Sequence, residues 1–359
     1  MSNKRKEDIL NGNIKNILIV RQHNQLGDML CSVPLFSALR KNFPDARTTL
    51  VASKMNYEII FSDINPYIDD VEVFDKSTVP NITKLIKRLR KKDFDLGIVP
   101  STVSISRTSH WINYFSGAKL KVGVNSINSK VNKVAYLLDI KSDFEWDERK
   151  VHQTERNLDI GRQIGCDLNE DEKKNVRITL SDGEKNQAEE FLQKHFSDKQ
   201  KPIFGFHPGA GKNQNRWAGE NFEELIIQLY KKYNPYILIT SGLIDTEITE
   251  SITRNLDSKG IEYTILGTPI RKVASVLTKS HLYVTNDTGT LHVAAFVNAN
   301  VIGLFGPTNG YEWGPLNQFG SYIQSKTNNI KEITVKEVFD KSCIRFEDYI
   351  NKKGIKIRT

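Results

Sequence analysis

Along most of this chain, short apolar runs alternate with longer stretches in which apolar residues recur every three or four positions. In the first half, residues 17–20, 49–52, 71–74 and 96–99 are apolar runs of strand length. Between them, 29–43 and 82–89 carry the helical period. Strands that are apolar at nearly every position bury both faces, which predicts a parallel sheet covered by helices on each side. The rhythm breaks at about 125–148, resumes as a helix over 152–164, and then crosses a polar stretch at 166–175. From Pro202 it restarts, with strands over 203–206, 236–240, 263–266, 282–285 and 301–305. Helices fit 221–232, 245–255, 270–279 and 289–297. The predicted class is α/β, with two tandem doubly wound, Rossmann-like domains at 1–175 and 176–335. A final helix within 336–359 is placed to cross back to the first domain.

Length agrees with that division, since 359 residues exceed one ordinary domain. No apolar run approaches the roughly 18 residues of a membrane-spanning helix, and the start, Met1 to Asp8, is charged with no apolar segment behind it. That start predicts no secretory leader and a cytoplasmic chain. Cys31, Cys166 and Cys343 have no paired spacing, which suits buried thiols rather than disulfides or a thiolate zinc site. The seven histidines are scattered, so no metal site is expected. A net charge of +8 favours anionic partners. The run Lys84, Lys87, Arg88, Arg90, Lys91, Lys92 reads as a solvated helix face, or as a surface for peripheral contact with anionic lipid. No nucleic-acid recognition motif accompanies the charge, so nucleic acid is not an expected partner.

Ligands of open parallel sheets bind beyond the carboxyl ends of the strands. Three loops at such ends are rich in functional side chains, and two facing sheets would bring them to one cleft. The first, Arg21-Gln22-His23-Asn24-Gln25-Leu26-Gly27-Asp28, opens into a helix. Asp28 reads either as an N-cap carboxylate or as a general base kept ionised by the helix start; Arg21, Gln25 and Gly27 would line the acceptor side. The second, His207-Pro208-Gly209-Ala210-Gly211-Lys212-Asn213-Gln214-Asn215-Arg216-Trp217, offers Lys212 and Arg216 to a departing diphosphate, or is a surface loop with incidental charge. The third, Asn286-Asp287-Thr288-Gly289-Thr290-Leu291-His292, puts Thr288, Gly289 and Thr290 at a helix start suited to an anion. Asp287 reads as a sugar-hydroxyl acceptor or a cap, and His292 as a donor-side group or a structural histidine. Neither a dinucleotide glycine fingerprint nor a Walker loop is present, which weighs against a nicotinamide-dependent oxidoreductase.

The order of these blocks resembles glycosyltransferase family 9, the heptosyltransferase family. Ile17-Leu18-Ile19-Val20-Arg21, Leu26-Gly27-Asp28, Pro34-Leu35, Ala38-Leu39-Arg40 and Phe43-Pro44-Asp45-Ala46 resemble its amino-terminal signature. His152-Gln153-Thr154-Glu155-Arg156-Asn157-Leu158 is similar to its interdomain segment. His207-Pro208-Gly209-Ala210 with Arg216-Trp217 is similar to its donor-side loop. Asn286-Asp287-Thr288-Gly289, His292-Val293-Ala294-Ala295 and Leu304-Phe305-Gly306-Pro307-Thr308 resemble its carboxy-terminal signature.

The resemblance implies the two-Rossmann-domain GT-B fold and an inverting, metal-independent transfer without a cofactor. The implied donor is a nucleotide sugar, ADP-heptose in the family, and the acceptor a lipopolysaccharide core or related lipid-linked or polysaccharide glycan. It implies Asp28 as base, Thr288 and Gly289 at the donor diphosphate, and Asp287 on the donor. Two positions depart from the pattern. Asn215 stands where many members carry lysine, and Ser241-Gly242-Leu243-Ile244-Asp245 replaces the usual turn near the ribose, leaving Asp245 or Glu247 as the candidate ribose carboxylate. The alternatives are a transferase using a different nucleotide sugar, or a non-catalytic nucleotide-sugar or glycan-binding module on the same scaffold.

Overall fold

The computed structural model describes every residue except 1–5, 8–9, 61–63, 76, 197, 199, 243 and 358–359. Most of the charged start read for a leader, and Leu243 in the 241–245 turn, lie outside the described residues. The chain forms two compact units, Met1–Val176 and Arg177–Thr359.

In the first unit, β1 (Asn16–Arg21), β2 (Arg47–Ser53), β3 (Asp70–Phe74), β4 (Leu96–Ile98) and β5 (Leu120–Ile127) form a parallel sheet in the order β3-β2-β1-β4-β5. Beyond β5, β7 (Ile140–Phe144) pairs parallel to it and β6 (Lys130–Val131) forms an antiparallel hairpin with it. The break read at 125–148 is therefore not the end of the sheet. Polar residues alternate through β5 and β7, as expected where a strand lies towards an edge and one face meets water. The single helix expected over 29–43 is two, Leu26–Leu30 and Val33–Asn42. Pro34 causes the break, because its ring has no N–H for the carbonyl of Leu30 and crowds that carbonyl. Leu18, Val20, Val51, Leu85, Leu89 and Phe94 are among the core residues on one side of this sheet.

The segment 152–158, read as lying between the domains, belongs to the first unit, where His152 caps the helix Gln153–Arg162. Gly161 lets that helix approach Val33–Asn42, since a β-carbon there would stand 2.7 Å from Leu35 Cδ1.

The second unit repeats the topology with β8 (Ile203–His207), β9 (Tyr236–Thr240), β10 (Tyr263–Leu266), β11 (Leu282–Asn286), β12 (Val301–Phe305) and β13 (Gly320–Gln324). All are parallel in the order β10-β9-β8-β11-β12-β13. Half-polar β13 escaped the apolar pattern. The helix Asp182–His195, which the apolar pattern did not show, belongs here; Arg271 Nη2 donates to Glu184 Oε2 at 2.9 Å. The final helix, Val335–Lys353, buries Val338, Cys343 and Phe346 in this unit's own core, with the Phe346 ring edge-on to Phe204 at 4.8 Å and to Tyr233 at 4.9 Å. All three cysteines are buried, and none forms a disulfide.

His281 ties the edge of this core together. Its Nδ1 accepts from the N–H of Ile203 at 3.1 Å, and its burial lowers the ring pKa to about 4. A histidine that titrates near 6.5 when unfolded and near 4 when folded contributes fully above pH 6.5, and that contribution is lost as pH falls towards 4. The expected cost to the second unit is roughly 3 kcal/mol at the acid end. Urea denaturation of wild type and His281→Gln at pH 7 and pH 4.5 checks it: the substitution should flatten the pH slope, and equal slopes would refute the assignment.

Candidate functional site

In sheets of this order the ligand crevice opens where the strand order reverses, beyond the carboxyl ends. In the first unit that point lies between β1 and β4, and Arg21 spans it. Its Nη1 donates to the carbonyl of Pro100, past the end of β4, at 2.5 Å, and Nη2 donates to the carbonyl of Asp28 at 3.1 Å. The same nitrogen lies 3.5 Å from Asp28 Oδ1. Neighbouring loops hold the rest of this turn. Asn56 Nδ2 donates to the carbonyl of His23 at 2.5 Å, and Gln22 Nε2 donates to the hydroxyls of Ser106 and Ser109 at 3.1 and 3.3 Å. On the far side, Ser32 Oγ lies 2.9 Å from the carbonyl of Asp28 and 3.1 Å from Asn157 Oδ1.

Asp28 is not the N-cap. That position is exposed Gln25, whose side chain makes no capping bond, and Asp28 is the third residue of the helix. Its Oδ1 is shielded from solvent and accepts no hydrogen bond, while the side chain as a whole keeps 14% exposure. A carboxylate not spent on capping, beside a buried guanidinium, is available to a ligand. Burial lowers the Arg21 pKa, and the Asp28 charge works against that. His23 is held below its usual range, first by burial and then by Arg21. Gly27 is half-buried in the first turn of the helix.

In the second unit the reversal lies between β8 and β11, and a fully buried Asn286 spans it. Its Nδ2 donates to the carbonyls of Pro208 and Gly209 at 2.9 and 3.1 Å, and its Oδ1 accepts from the N–H of Trp217 at 3.1 Å. One amide thus pins both ends of the 207–217 loop to the start of the next. Trp217, itself fully buried, sends Nε1–H to the carbonyl of Ile333 at 2.8 Å, and is a core anchor rather than a ligand group. Thr288, not Asp287, is the N-cap of the helix Gly289–Phe296, and its hydroxyl is spent on Thr290 Oγ1 at 2.7 Å. Among the described residues the N–H groups of Gly289 and Thr290 meet no acceptor, so the helix start keeps donors for an anion.

Asp287 is half-buried, and its Oδ2 accepts from Asn215 Nδ2 at 2.9 Å. The same Nδ2 lies 3.2 Å from Thr308 Oγ1. Burial raises the Asp287 pKa, against the pull of the Thr308 hydroxyl and the Lys212 charge. Lys212 is exposed. Arg216 is turned back on its own loop, with Nη2 donating to the carbonyl of Ala210 at 3.1 Å and a buried Nε that has no partner. His292 is buried, with its ring edge-on to Trp313 at 6.0 Å.

Asp245 and Glu247 differ sharply. Glu247 is exposed in the first turn of the helix Thr246–Ser258. Asp245 is 4% exposed and turned inward. Its Oδ2 accepts from the N–H of Gly242 at 2.9 Å and lies 3.8 Å from His207 Nε2. A β-carbon on Gly209 would meet this carboxylate at 2.2–2.4 Å, so any larger residue there would have to displace Asp245. Burial lowers the pKa of His207, whose Nδ1 faces the carbonyl of Thr240 at 2.9 Å.

Residues 82–342 match the model of glycosyltransferase family 9 (heptosyltransferase). The chain belongs to that family. As a family 9 glycosyltransferase it is 23% identical over 351 residues to lipopolysaccharide heptosyltransferase 3 of Escherichia coli K12, covering 90% of this chain and 93% of that one. Its fold resembles the family 9 glycosyl transferase of Veillonella parvula, with a TM-score of 0.79 at 18% identity, covering 94% of this chain and 100% of that one. It also resembles the E. coli ADP-heptose lps heptosyltransferase II, with a TM-score of 0.74 at 20% identity, covering 95% and 100%.

In this family 9 chain the roles of Asn286, Asn56 and Thr308 emerge only in the folded units. Asn286 carried one signal, a polar amide closing an apolar strand immediately before a helix start. Asn56 carried none, because its partner His23 is 33 positions away.

Proposed function

We propose that this glycosyltransferase moves a heptose from ADP-heptose to a hydroxyl of a lipopolysaccharide-core or related lipid-linked glycan, with inversion and with neither a divalent cation nor a cofactor. It works at the inner, anionic face of the cytoplasmic membrane. In the transfer, the acceptor oxygen attacks the anomeric carbon as the bond from that carbon to the diphosphate oxygen breaks. The acceptor proton passes to the Asp28 carboxylate, and ADP leaves with the bonding electron pair. A single displacement inverts the anomeric centre.

The observation carrying this reading is Asp28, whose Oδ1 accepts no hydrogen bond and lies 3.5 Å from buried Arg21 at the strand-order reversal. The uncommitted N–H groups of Gly289 and Thr290, with Thr288 and the charge of Lys212, suit the departing diphosphate. Those donors supply positive potential that a metal ion supplies in other transferases. Asp287, held by Asn215, would accept from a donor hydroxyl, and exposed Glu247 is better placed than inward-turned Asp245 to meet a ribose.

The test is nucleotide release from ADP-heptose, and from GDP- and UDP-linked sugars, with a core glycan acceptor and with a chelator present. Release from ADP-heptose that needs acceptor and survives chelation supports the reading. Chelator-abolished release, or no turnover with ADP-heptose, defeats the corresponding part. Asn215 in place of lysine favours a second reading, a different nucleotide sugar, which preferred release from another donor would establish.

A further inference from the structure

The first unit carries an exposed aromatic surface. On the helix Arg107–Phe115, Trp111 stacks on Phe115 at 5.4 Å and meets Tyr114 edge-on at 5.9 Å. Tyr136, from the turn before β7, stands edge-on to Trp111 at 6.5 Å. Tyr114 is 46% exposed, Phe115 44% and Tyr136 69%. Four rings meeting one another at the surface form a contiguous apolar patch, of the kind that marks a contact site rather than scattered exposure.

Cations frame the patch. Arg90 Nε donates to the carbonyl of Phe115 at 2.9 Å, and Lys141 Nζ to the carbonyl of Ala135, next to Tyr136, at 2.8 Å. Arg107 lies one helical turn before Trp111, and Lys133 three residues before Tyr136. Among the described residues, none of the four forms an ion pair. Neither the Arg107–Phe115 helix nor the adjoining Val79–Arg90 helix contains an acidic residue. The nearby carboxylate of Asp139 is taken up by Lys121 at 2.9 Å.

We propose that this face, centred on Trp111, Phe115 and Tyr136, seats on an anionic lipid bilayer, with the rings at headgroup depth and Arg90, Arg107, Lys133 and Lys141 on the lipid phosphates. The proposal rests on the reading that the chain works at a membrane, and not on which sugar it transfers. Tryptophan and tyrosine join an apolar ring to a polar edge and settle at the boundary between acyl chains and headgroups. Each basic side chain held near an anionic surface adds attraction that salt weakens. The basic run at 84–92 extends the same field, with Lys84, Lys87 and Lys91 exposed and, among the described residues, outside any ion pair.

Co-sedimentation of the full chain with vesicles of equal phosphatidylglycerol and phosphatidylcholine, and with phosphatidylcholine alone, tests this. The wild type should bind the anionic vesicles, less well as salt rises, and not the neutral ones. Phe115→Ser with Tyr136→Ser should lower the partition by roughly tenfold or more. Arg90→Ser with Arg107→Ser should lower it by about fivefold per cation. Ile344→Ser, which removes an exposed apolar residue of the second unit, should leave it unchanged. Circular dichroism confirms that each variant is folded, and Tyr136→Ser alone, at the most exposed ring, serves if the double variant is not. A wild type that ignores anionic vesicles overturns the membrane reading together with this face. Wild-type binding retained by folded aromatic variants overturns the face alone. A dimer that these variants convert to monomer assigns the patch to a second copy of the chain, and also overturns the proposal.

Discussion

Asp28→Asn is expected to reduce the transfer rate by about 10²–10⁴-fold, the usual contribution of a positioned base, with donor affinity unchanged. The substitution conserves shape, and its amide cannot take the acceptor's proton. Donor affinity should hold because the groups proposed to bind the diphosphate, Thr288, Gly289 and Thr290, belong to the other unit. Some stability should also be lost. Arg21 is buried, and Asp28 Oδ1 at 3.5 Å is its nearby countercharge. The guanidinium keeps the carbonyls of Pro100 and Asp28, so the loss should stay near 1–2 kcal/mol. Initial rates, donor titration and thermal melting of one preparation separate these effects. A folded variant that binds donor and transfers sugar within a fewfold of wild type would remove Asp28 from the chemistry.

Asn286→Ala should be the most damaging single change to the second unit's loops. It removes three hydrogen bonds at once and leaves the buried N–H of Trp217 without an acceptor. The expected destabilisation is roughly 3–4 kcal/mol, with a drop in donor affinity as the 207–217 loop comes away from the helix start. Asn286→Asp discriminates between volume and hydrogen bonding. The carboxylate can still accept from Trp217, but it faces the carbonyls of Pro208 and Gly209 with no proton to offer. It should therefore be at least as unstable as Asn286→Ala at pH 7. It should recover in part as pH falls and the carboxyl gains an O–H to donate. Chemical denaturation across pH reads this directly, and an Asp variant as stable as wild type at pH 7 would show that the amide is not the pin.

The sequence by itself determined strands β1 to β4 and β8 to β12, but not β5 or β7, and the three loops at the carboxyl ends of β1, β8 and β11. Apolar runs such as 17–20 and 301–305 can be satisfied only by burial on both faces, which is a local and legible property. It did not disclose β13, the split at Pro34, or the helix Arg107–Phe115. In that helix Ile112 is buried while Tyr114 and Phe115 face water, so the apolar residues do not keep to one stripe. Tertiary structure alone decided the duties of the polar side chains within each unit. It turned Asp245 inward against Gly209, released Asp28 from capping by starting the helix at Leu26, and gave Asn286 its three partners. Those partners lie about 70–80 positions away in the chain. Whether a hydrogen bond forms depends on distance and direction in space, and residue spacing carries neither once the chain has turned back on itself.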